Sequence, residues 1–172
     1  LLALLALCRI PETLLLLRLQ DLGVSVAAIP LAWAGLHIVR SAASYPGGWL
    51  NDRLGSAALV GMGAAIFALC LALLGKPLAP ALAVGTLLLF GLAAAATAPA
   101  ERALVATLSP RARGAGFGAY HALTGVAALP AGVAFGWLYQ RFGGSDAMWA
   151  SGALVGAVGV VWMIRGARPG VR

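Results

Sequence analysis

Residues 54–75 read LGSAALVGMGAAIFALCLALLG, a run of 22 residues without one charged side chain. Three further charge-free runs follow at 77–100, 114–140 and 147–164. About 20 apolar residues in a helix cross the ~30 Å hydrocarbon core of a bilayer, so each run is long enough to span a membrane. Hydrophobic residues make up 62% of the chain, charged residues 10%, and the mean hydropathy is +0.95. This composition excludes a soluble globular protein.

Two more membrane spans are predicted before residue 54 when isolated charges are tolerated. The first contains Arg9 and Glu12, and the second contains His37 and Arg40. The prediction is an all-α membrane protein, a six-transmembrane-helix bundle that forms one domain over residues 1–172. Its spans are placed at about 1–17, 22–45, 57–74, 79–98, 114–138 and 147–164. Because little chain remains between the spans, any chemistry must lie in the helices or in short loops.

Basic residues are distributed unequally between the two sides of the predicted bundle. Alternate loops place seven arginines on one side: Arg53, Arg102, Arg111, Arg113, Arg165, Arg168 and Arg172. The other side has three basic residues: Arg18, Lys76 and Arg141. By the positive-inside rule the first side is cytoplasmic, and both ends of the segment are predicted there. No basic and aromatic binding pattern accompanies the net charge of +7, so no nucleic-acid partner is predicted.

The sequence has no signature of an enzyme, a metal site or a cofactor site. Cys8 and Cys70 lie within apolar spans, where a thiol behaves as a small hydrophobe. The HExxH, CxxC, GxSxG and phosphate-loop patterns are absent. The chain begins at Leu1 without a polar flank before the first span, which leads us to expect a missing upstream part.

Arg9 and Glu12 are the strongest functional signal. They are three residues apart, so in a continuous helix they share one face and can form an ion pair. Ionisable groups in hydrocarbon cost at least ~2.5–3.5 kcal/mol each and are retained chiefly where they pair, face a cavity or move protons. Two interpretations remain open: a static pair that braces a bend at Pro11, or side chains that line a pathway.

Three other polar side chains within the spans are candidate pathway residues. His37 and Arg40 repeat the three-residue spacing on the second span. Arg40 either lines the pathway or snorkels to the cytoplasmic headgroups. His37, like His121 beside Tyr120 on the fifth span, either relays protons or is a structural hydrogen-bonding residue.

Proline and glycine, polar residues and spaced small residues support further structural expectations. Residues 45–48, Tyr-Pro-Gly-Gly, predict the end of the second span. Residues 100–113 are the most polar segment and predict a surface loop or interfacial helix, and Arg18 and Asp21 predict a solvated pair at the outer end of the first span. Small residues spaced four apart predict close helix packing at Gly114/Gly118, Gly132/Gly136 and Gly152/Gly156.

The segment Gly48-Trp49-Leu50-Asn51-Asp52-Arg53-Leu54-Gly55 resembles the G-x-x-x-D-R-x-G signature of major facilitator superfamily transporters. The segment after Ser109, with Arg113-Gly114-Ala115-Gly116-Phe117-Gly118, is similar to the R-G-x-x-F-G entry to the eleventh helix of that family. Both precede the appropriate spans. The chain therefore looks like the C-terminal six-helix half of such a transporter, helices seven to twelve.

This resemblance implies a secondary active transporter of a small solute that works by alternating access, with proton coupling and possible efflux as expectations. The implied partners are the solute, protons, the lipid bilayer and an N-terminal six-helix half, and the implied location is a bacterial cytoplasmic membrane. Glu12 would be the proton-coupling carboxylate, and Arg9 would either favour its charged form or hold an anionic group of the solute. The implied cytoplasmic gate comprises Gly48, Asp52, Arg53, Gly55, Arg113 and Gly114.

Basic residues usually end the family signature, whereas Ser56, Ala57 and Ala58 stand here, which weakens an inference about a salt-bridge network at the gate. The alternative from another class is a free-standing six-helix channel or assembly subunit that acts as an oligomer. An intramembrane enzyme would need a catalytic constellation, such as a serine or aspartate brought to His121. The charges permit a zwitterion, an anion or an organic cation as the solute.

Overall fold

A computed structural model describes residues 2–166, and this part of the chain is α-helical without a strand. Its helices are α1 (Leu2–Cys8), α2 (Glu12–Asp21), α3 (Ile29–Leu54), α4 (Ser56–Leu74), α5 (Pro80–Leu108), α6 (Arg113–Phe142) and α7 (Gly144–Gly166). A short 3-10 turn at Val26–Ala28 leads into α3. Leu1, Arg168, Arg172 and the side chain of Arg165, which entered the predictions above, lie outside the described part.

Within residues 2–166, five helices are long and apolar enough to cross a membrane: α3 with its preceding turn, α4, α5, α6 and α7. The first predicted span corresponds to α1 and α2, which are separated by residues 9–11. An all-α membrane bundle is therefore confirmed, and the segment predicted as its first span is broken into two short helices. Turns at Gly55 and at 109–112 lie at one end, called the basic end. Turns at 22–25, 75–79 and Gly143 lie at the other, called the opposite end.

The predicted end of the second span at residues 45–48 is wrong. Helix α3 continues through Pro46 to Leu54, and α5 likewise continues through Pro99 to Leu108. In hydrocarbon a helix persists through proline because no water is present to satisfy the backbone groups of an unwound segment. A Cβ on Gly47 would lie 2.7 Å from the carbonyl oxygen of Ala95, so α3 and α5 approach closely where Pro99 removes that carbonyl's helical donor.

Helix α4 lies in the centre of the packing, between α5 and α7, while α3 packs on α5 and α1 packs on α6 and α7. Gly152 contributes to this packing, since its Cβ would lie 3.2 Å from the carbonyl of Ala68 on α4. Three of the four α6 glycines that are predicted to pack closely do not, while the fourth, Gly132, has Pro11 3.9 Å from its Cβ position. Gly114, Gly118 and Gly136 have no neighbour within 4 Å of a Cβ position among the described residues, so they are not used to pack this bundle.

Burial differs strongly among the long helices. Only 11% of the apolar window of α3 and 17% of that of α6 is buried, against 50% for α4 and 39% for α5 and α7. The two least-covered helices carry exposed apolar side chains such as Leu31 on α3 and Val133 on α6. Much of α3 and of α6 is thus left uncovered by the described chain.

Candidate functional site

The break in the first span is held by a serine from another helix. The backbone N–H of Ile10 donates to Ser151 Oγ at 3.0 Å, and Ser151 Oγ donates to the Cys8 carbonyl at 2.8 Å. Ser151 and Ile10 are buried, so these backbone groups have a partner where water is excluded. Pro11 has no N–H to continue α1, and α2 begins after it at Glu12. The break places two charged side chains at different positions within the bundle.

Arg9 pairs with a glutamate that sequence spacing does not connect to it. Its Nη2 donates to Glu101 Oε1 at 2.9 Å, and its guanidinium lies 4.7 Å from the ring centre of Phe67. The second oxygen of Glu101 accepts a hydrogen bond from the Tyr120 hydroxyl at 2.8 Å. This cluster joins the break in the first span to α5 and α6.

Glu12 pairs with Arg40 instead of Arg9. Arg40 Nη1 donates to Glu12 Oε2 at 3.1 Å, and Nη2 donates to Oε1, so the pair is bidentate. The expected pairing of Arg9 with Glu12 is wrong, because the i, i+3 rule requires a continuous helix and the chain is not helical between Cys8 and Glu12. As the first residue of α2, Glu12 also lies at the positive end of that helix's dipole.

The two ion pairs border two adjoining cavities. A cavity of about 450 Å³ is lined by Arg9, Arg40 and Glu101 together with His37 and Arg102. A cavity of about 290 Å³ shares the first three residues and adds Glu12 and Tyr120. The side chains are partly accessible, from 12% for Glu101 to 34% for Glu12. A solute and water can therefore reach groups that lie within an apolar bundle.

The remaining candidate pathway residues are only partly gathered at this site. His37 lines the larger cavity and its ring contacts that of Trp33 edge-on, with centroids 4.7 Å apart. Arg40 bonds Glu12, which is a contact that snorkelling alone would not produce. His121 is exposed on α6 and stacks edge-on with Tyr120, but it lines neither cavity.

The predicted gate motif forms the last turns of α3 and the turn that follows. Gly48, Asp52 and Arg53 are helical, and Gly55 ends the helix with φ +81°. The Arg53 guanidinium lies 3.9 Å from the Trp49 ring centre, a cation–π contact. Within residues 2–166 neither Asp52 nor Arg53 forms a salt bridge, and both are exposed.

The second part of the predicted gate lies at the same end of the bundle, at the start of α6. Arg113 and Gly114 begin α6, and both are exposed. A Cβ on Gly114 would have no neighbour within 4 Å in the described chain. The two parts of the predicted gate therefore present free surface at the basic end.

At the opposite end, Arg18 and Asp21 do not form the predicted solvated pair. Arg18 is 8% exposed, and its Nε donates to the Leu74 carbonyl at 2.8 Å while Nη2 donates to Ser145 Oγ at 2.9 Å. Asp21 accepts a hydrogen bond from the Tyr139 hydroxyl. Arg18 has its partners on α4 and α7, and Asp21 has its partner on α6, so the two side chains do not bond to each other.

Sequence reasoning missed Glu101 and Tyr120 as site residues. The sequence predicts a surface position for Glu101, because the fourth span is predicted to end at residue 98 and the polar segment 100–113 follows it. One signal was available: Glu101 directly follows a charge-free run of 24 residues, and α5 continues past it to Leu108. Tyr120 gave no signal beyond its place beside His121.

A model of the Major Facilitator Superfamily matches residues 10–172 of the chain. The chain belongs to the Major Facilitator Superfamily. Comparisons with curated proteins and with solved structures give no significant match. Members of this superfamily are secondary transporters, not enzymes, and they move small solutes across a lipid bilayer. The chain is accordingly an integral, multi-pass membrane protein of a transporter family, and its charged cavities are the candidate solute pathway.

Proposed function

We propose that this superfamily member is a proton-coupled transporter in which Glu12 is the coupling carboxylate and Arg40 is its partner. The observation that carries the proposal is the bidentate Glu12–Arg40 pair at the border of a cavity inside an apolar bundle. A charged pair at this depth is costly unless it has a task or a compensating network. Its position between the broken first span and α3 suits a contact that changes during transport.

Protonation supplies the mechanism of coupling. An ionised Glu12 holds Arg40, and so ties α2 to α3. When Glu12 takes up a proton, its attraction to the guanidinium falls to that of a neutral hydrogen-bonding group. Arg40 is then available to the solute or to another acceptor, and α2 and α3 can separate. Alternating access links this change to the side of the membrane that the cavity faces.

We further propose that residues 1–172 form one half of the transporter, helices seven to twelve, and that an N-terminal six-helix half covers α3 and α6. The support is the low burial of these two helices and the free surface at Gly114, Gly118 and Gly136, where another backbone could approach closely. Asp52 and Arg53 would meet that half at the basic end as part of the gate.

The positive-inside rule supports a cytoplasmic location for the basic end, in a bacterial cytoplasmic membrane. Glu101 lies in the last third of α5, so the cavity is nearer the basic end than the opposite end. A solute would then enter the charged cavity from the cytoplasm. Export in exchange for protons is the direction that we propose.

Reconstitution of the full-length transporter in liposomes loaded with a pH-sensitive dye tests the coupling. Panels of organic anions, cations and zwitterions are added outside, and internal pH and solute are followed together. Wild-type protein is expected to move protons in a fixed ratio to one class of solute. Glu12→Gln is expected to abolish solute-driven proton movement, because an amide cannot carry the proton.

Asp146→Asn is the matched control, since Asp146 is exposed at the start of α7 and lines neither charged cavity. This variant should couple like the wild type. Unchanged proton movement in Glu12→Gln would contradict the role of Glu12. Ion conductance without saturation by any solute would instead support the alternative of a six-helix channel.

A further inference from the structure

An apolar groove adjoins the charged cavity at the basic end. Its volume is about 490 Å³, and α5, α6 and α7 contribute Leu104, Leu108, Leu123 and Trp162 to its lining. It shares Leu2, Tyr120 and Thr124 with the smaller charged cavity. The shared residues place the groove directly beside the smaller charged cavity.

The charged compartment has donors without an acceptor, whereas each carboxylate oxygen already has a donor. Both oxygens of Glu101 and both oxygens of Glu12 already accept hydrogen bonds, from Arg9, Tyr120 and Arg40. In contrast, the Nε atoms of Arg9 and Arg40 are buried and have no acceptor in the described structure. A buried donor without a partner costs roughly 1–3 kcal/mol, so both arginines would gain from an additional acceptor.

The net charge around the two charged cavities also favours an anion. Around the two charged cavities stand three arginines, Arg9, Arg40 and Arg102, and two glutamates, Glu12 and Glu101. The compartment is therefore complementary to a single negative charge. An added cation would share carboxylate oxygens that already accept from an arginine or from Tyr120, whereas an added anion can use donors that have no acceptor.

From this juxtaposition we propose that the site binds an anionic amphiphile, a molecule with one carboxylate-like head and an alkyl tail. The head lies between Arg9 and Arg40, and the tail passes Tyr120 into the apolar groove. The proposal rests on the proposed function, since it names the solute class of the same transport site. It requires both compartments to be occupied by one molecule.

The test measures binding of 12-bromododecanoate to the full-length transporter in lipid nanodiscs. A bromoalkyl tail quenches tryptophan fluorescence on contact, and Trp162 lines the groove. The matched probes are 12-bromododecanol and a 12-bromododecyl trimethylammonium salt, which keep the tail and change the head. Nanodiscs that contain a membrane-anchored tryptophan peptide but no transporter measure the quenching caused by partition into lipid alone.

The expected result is saturable quenching by the carboxylate, lost in Trp162→Phe and retained in Trp149→Phe. Trp149 is the control because it lies on the same helix at the opposite end, where it donates to the Ala72 carbonyl. Arg9→Gln is expected to weaken binding of the carboxylate roughly tenfold or more, since a hydrogen bond to a charged group is lost. The same variant should bind the bromoalcohol as the wild type does, which shows that its groove is intact.

Chain length gives a second readout that does not depend on a variant. Each added methylene should strengthen binding up to about fourfold in free aqueous concentration until the groove is full. Four results would each overturn the proposal. They are equal binding of all three heads, preference for the ammonium head, equal competition by hexanoate and dodecanoate, and quenching no greater than in the control nanodiscs.

The two proposals fail separately. Binding of 12-bromododecanoate at Trp162, together with unchanged proton movement in Glu12→Gln, would remove the coupling role and leave the solute class standing. Loss of coupling in Glu12→Gln, without quenching at Trp162, would remove the solute class and leave the coupling role standing.

Discussion

Arg9 lies within the first predicted span and Arg18 at its outer end, but the structure uses them in opposite ways. Arg18, at the opposite end, directs its donors to the carbonyls that end α4 and to Ser145, and it is almost fully buried. Arg9 is 28% exposed, borders two cavities, bonds Glu101 and keeps a buried donor unused. The same side chain is a structural clamp at one end and an adjustable contact at the other.

The difference between these arginines indicates which parts of the bundle move together. Carbonyl groups at a helix end have no other intrahelical donor, so a cation bound there stabilises one arrangement of the turns. A carboxylate can be neutralised by a proton or displaced by an anion, so the Arg9 contact can be exchanged without unfolding. We expect the opposite-end turns to behave as one rigid unit while the contacts of the cavity rearrange.

The largest expected effect is on stability, in Arg18→Met. Loss of the charge-assisted bonds to the Leu74 carbonyl and Ser145 should lower the free energy of unfolding by about 3 kcal/mol or more. Thermal unfolding of the full-length protein can be followed with a thiol-reactive dye, because Cys8 and Cys70 are free and buried. Arg9→Met should cost less than half as much, since the released Glu101 can take up a proton in a partly hydrated cavity.

Equal losses in Arg18→Met and Arg9→Met would show that the two ends are held alike, and the distinction between clamp and adjustable contact would fail. Preserved stability in Arg18→Lys would also count against it. A lysine provides a charge but not the forked geometry that reaches a carbonyl and a hydroxyl together.

An intermediate effect is expected in Ser151→Ala, at the boundary between the two regions. This change leaves the Ile10 N–H and the Cys8 carbonyl without their partner in a buried position, at a cost of roughly 1–3 kcal/mol. The thermal midpoint should fall accordingly. Ser44→Ala is the control, because that hydroxyl is exposed and bonds only to Ser41 of its own helix. A midpoint equal to that of the control would mean that Ser151 does not stabilise the break.

Bilayer thickness explains which parts of the fold could be predicted. The span predicted at 57–74 corresponds to α4 at Ser56–Leu74, because an apolar run of fixed length has few alternatives in hydrocarbon. The wrong prediction at Pro46 is also explained by the surroundings of the helix. Proline and glycine end helices where water can satisfy the backbone, whereas a lipid-embedded helix continues past them.

The site was less predictable because its partners are distant in sequence. Arg9 and Glu101 are separated by 92 positions, so no local spacing connects them. The cost of burying charge does single out Arg9, Glu12 and Arg40, three of the charged side chains that line the cavities. What they contact depends on a three-residue break and on helix crossings, and neither can be obtained from helical periodicity.

The smallest effect concerns two tyrosines that each donate to a carboxylate, one at each end: Tyr139 to Asp21 and Tyr120 to Glu101. Tyr139→Phe should lower the free energy of unfolding by about 1 kcal/mol, because one hydrogen bond of the rigid opposite end is lost. It should leave transport unchanged. Tyr120→Phe should lower the free energy of unfolding by less than about half of that, since cavity water can replace the hydroxyl. Its transport rate should nevertheless fall severalfold, because the hydroxyl positions Glu101 beside Arg9. Proteoliposome transport and thermal midpoints, measured on both variants, separate these outcomes, and a transport defect in Tyr139→Phe alone would reverse the assignment of the rigid and adjustable ends.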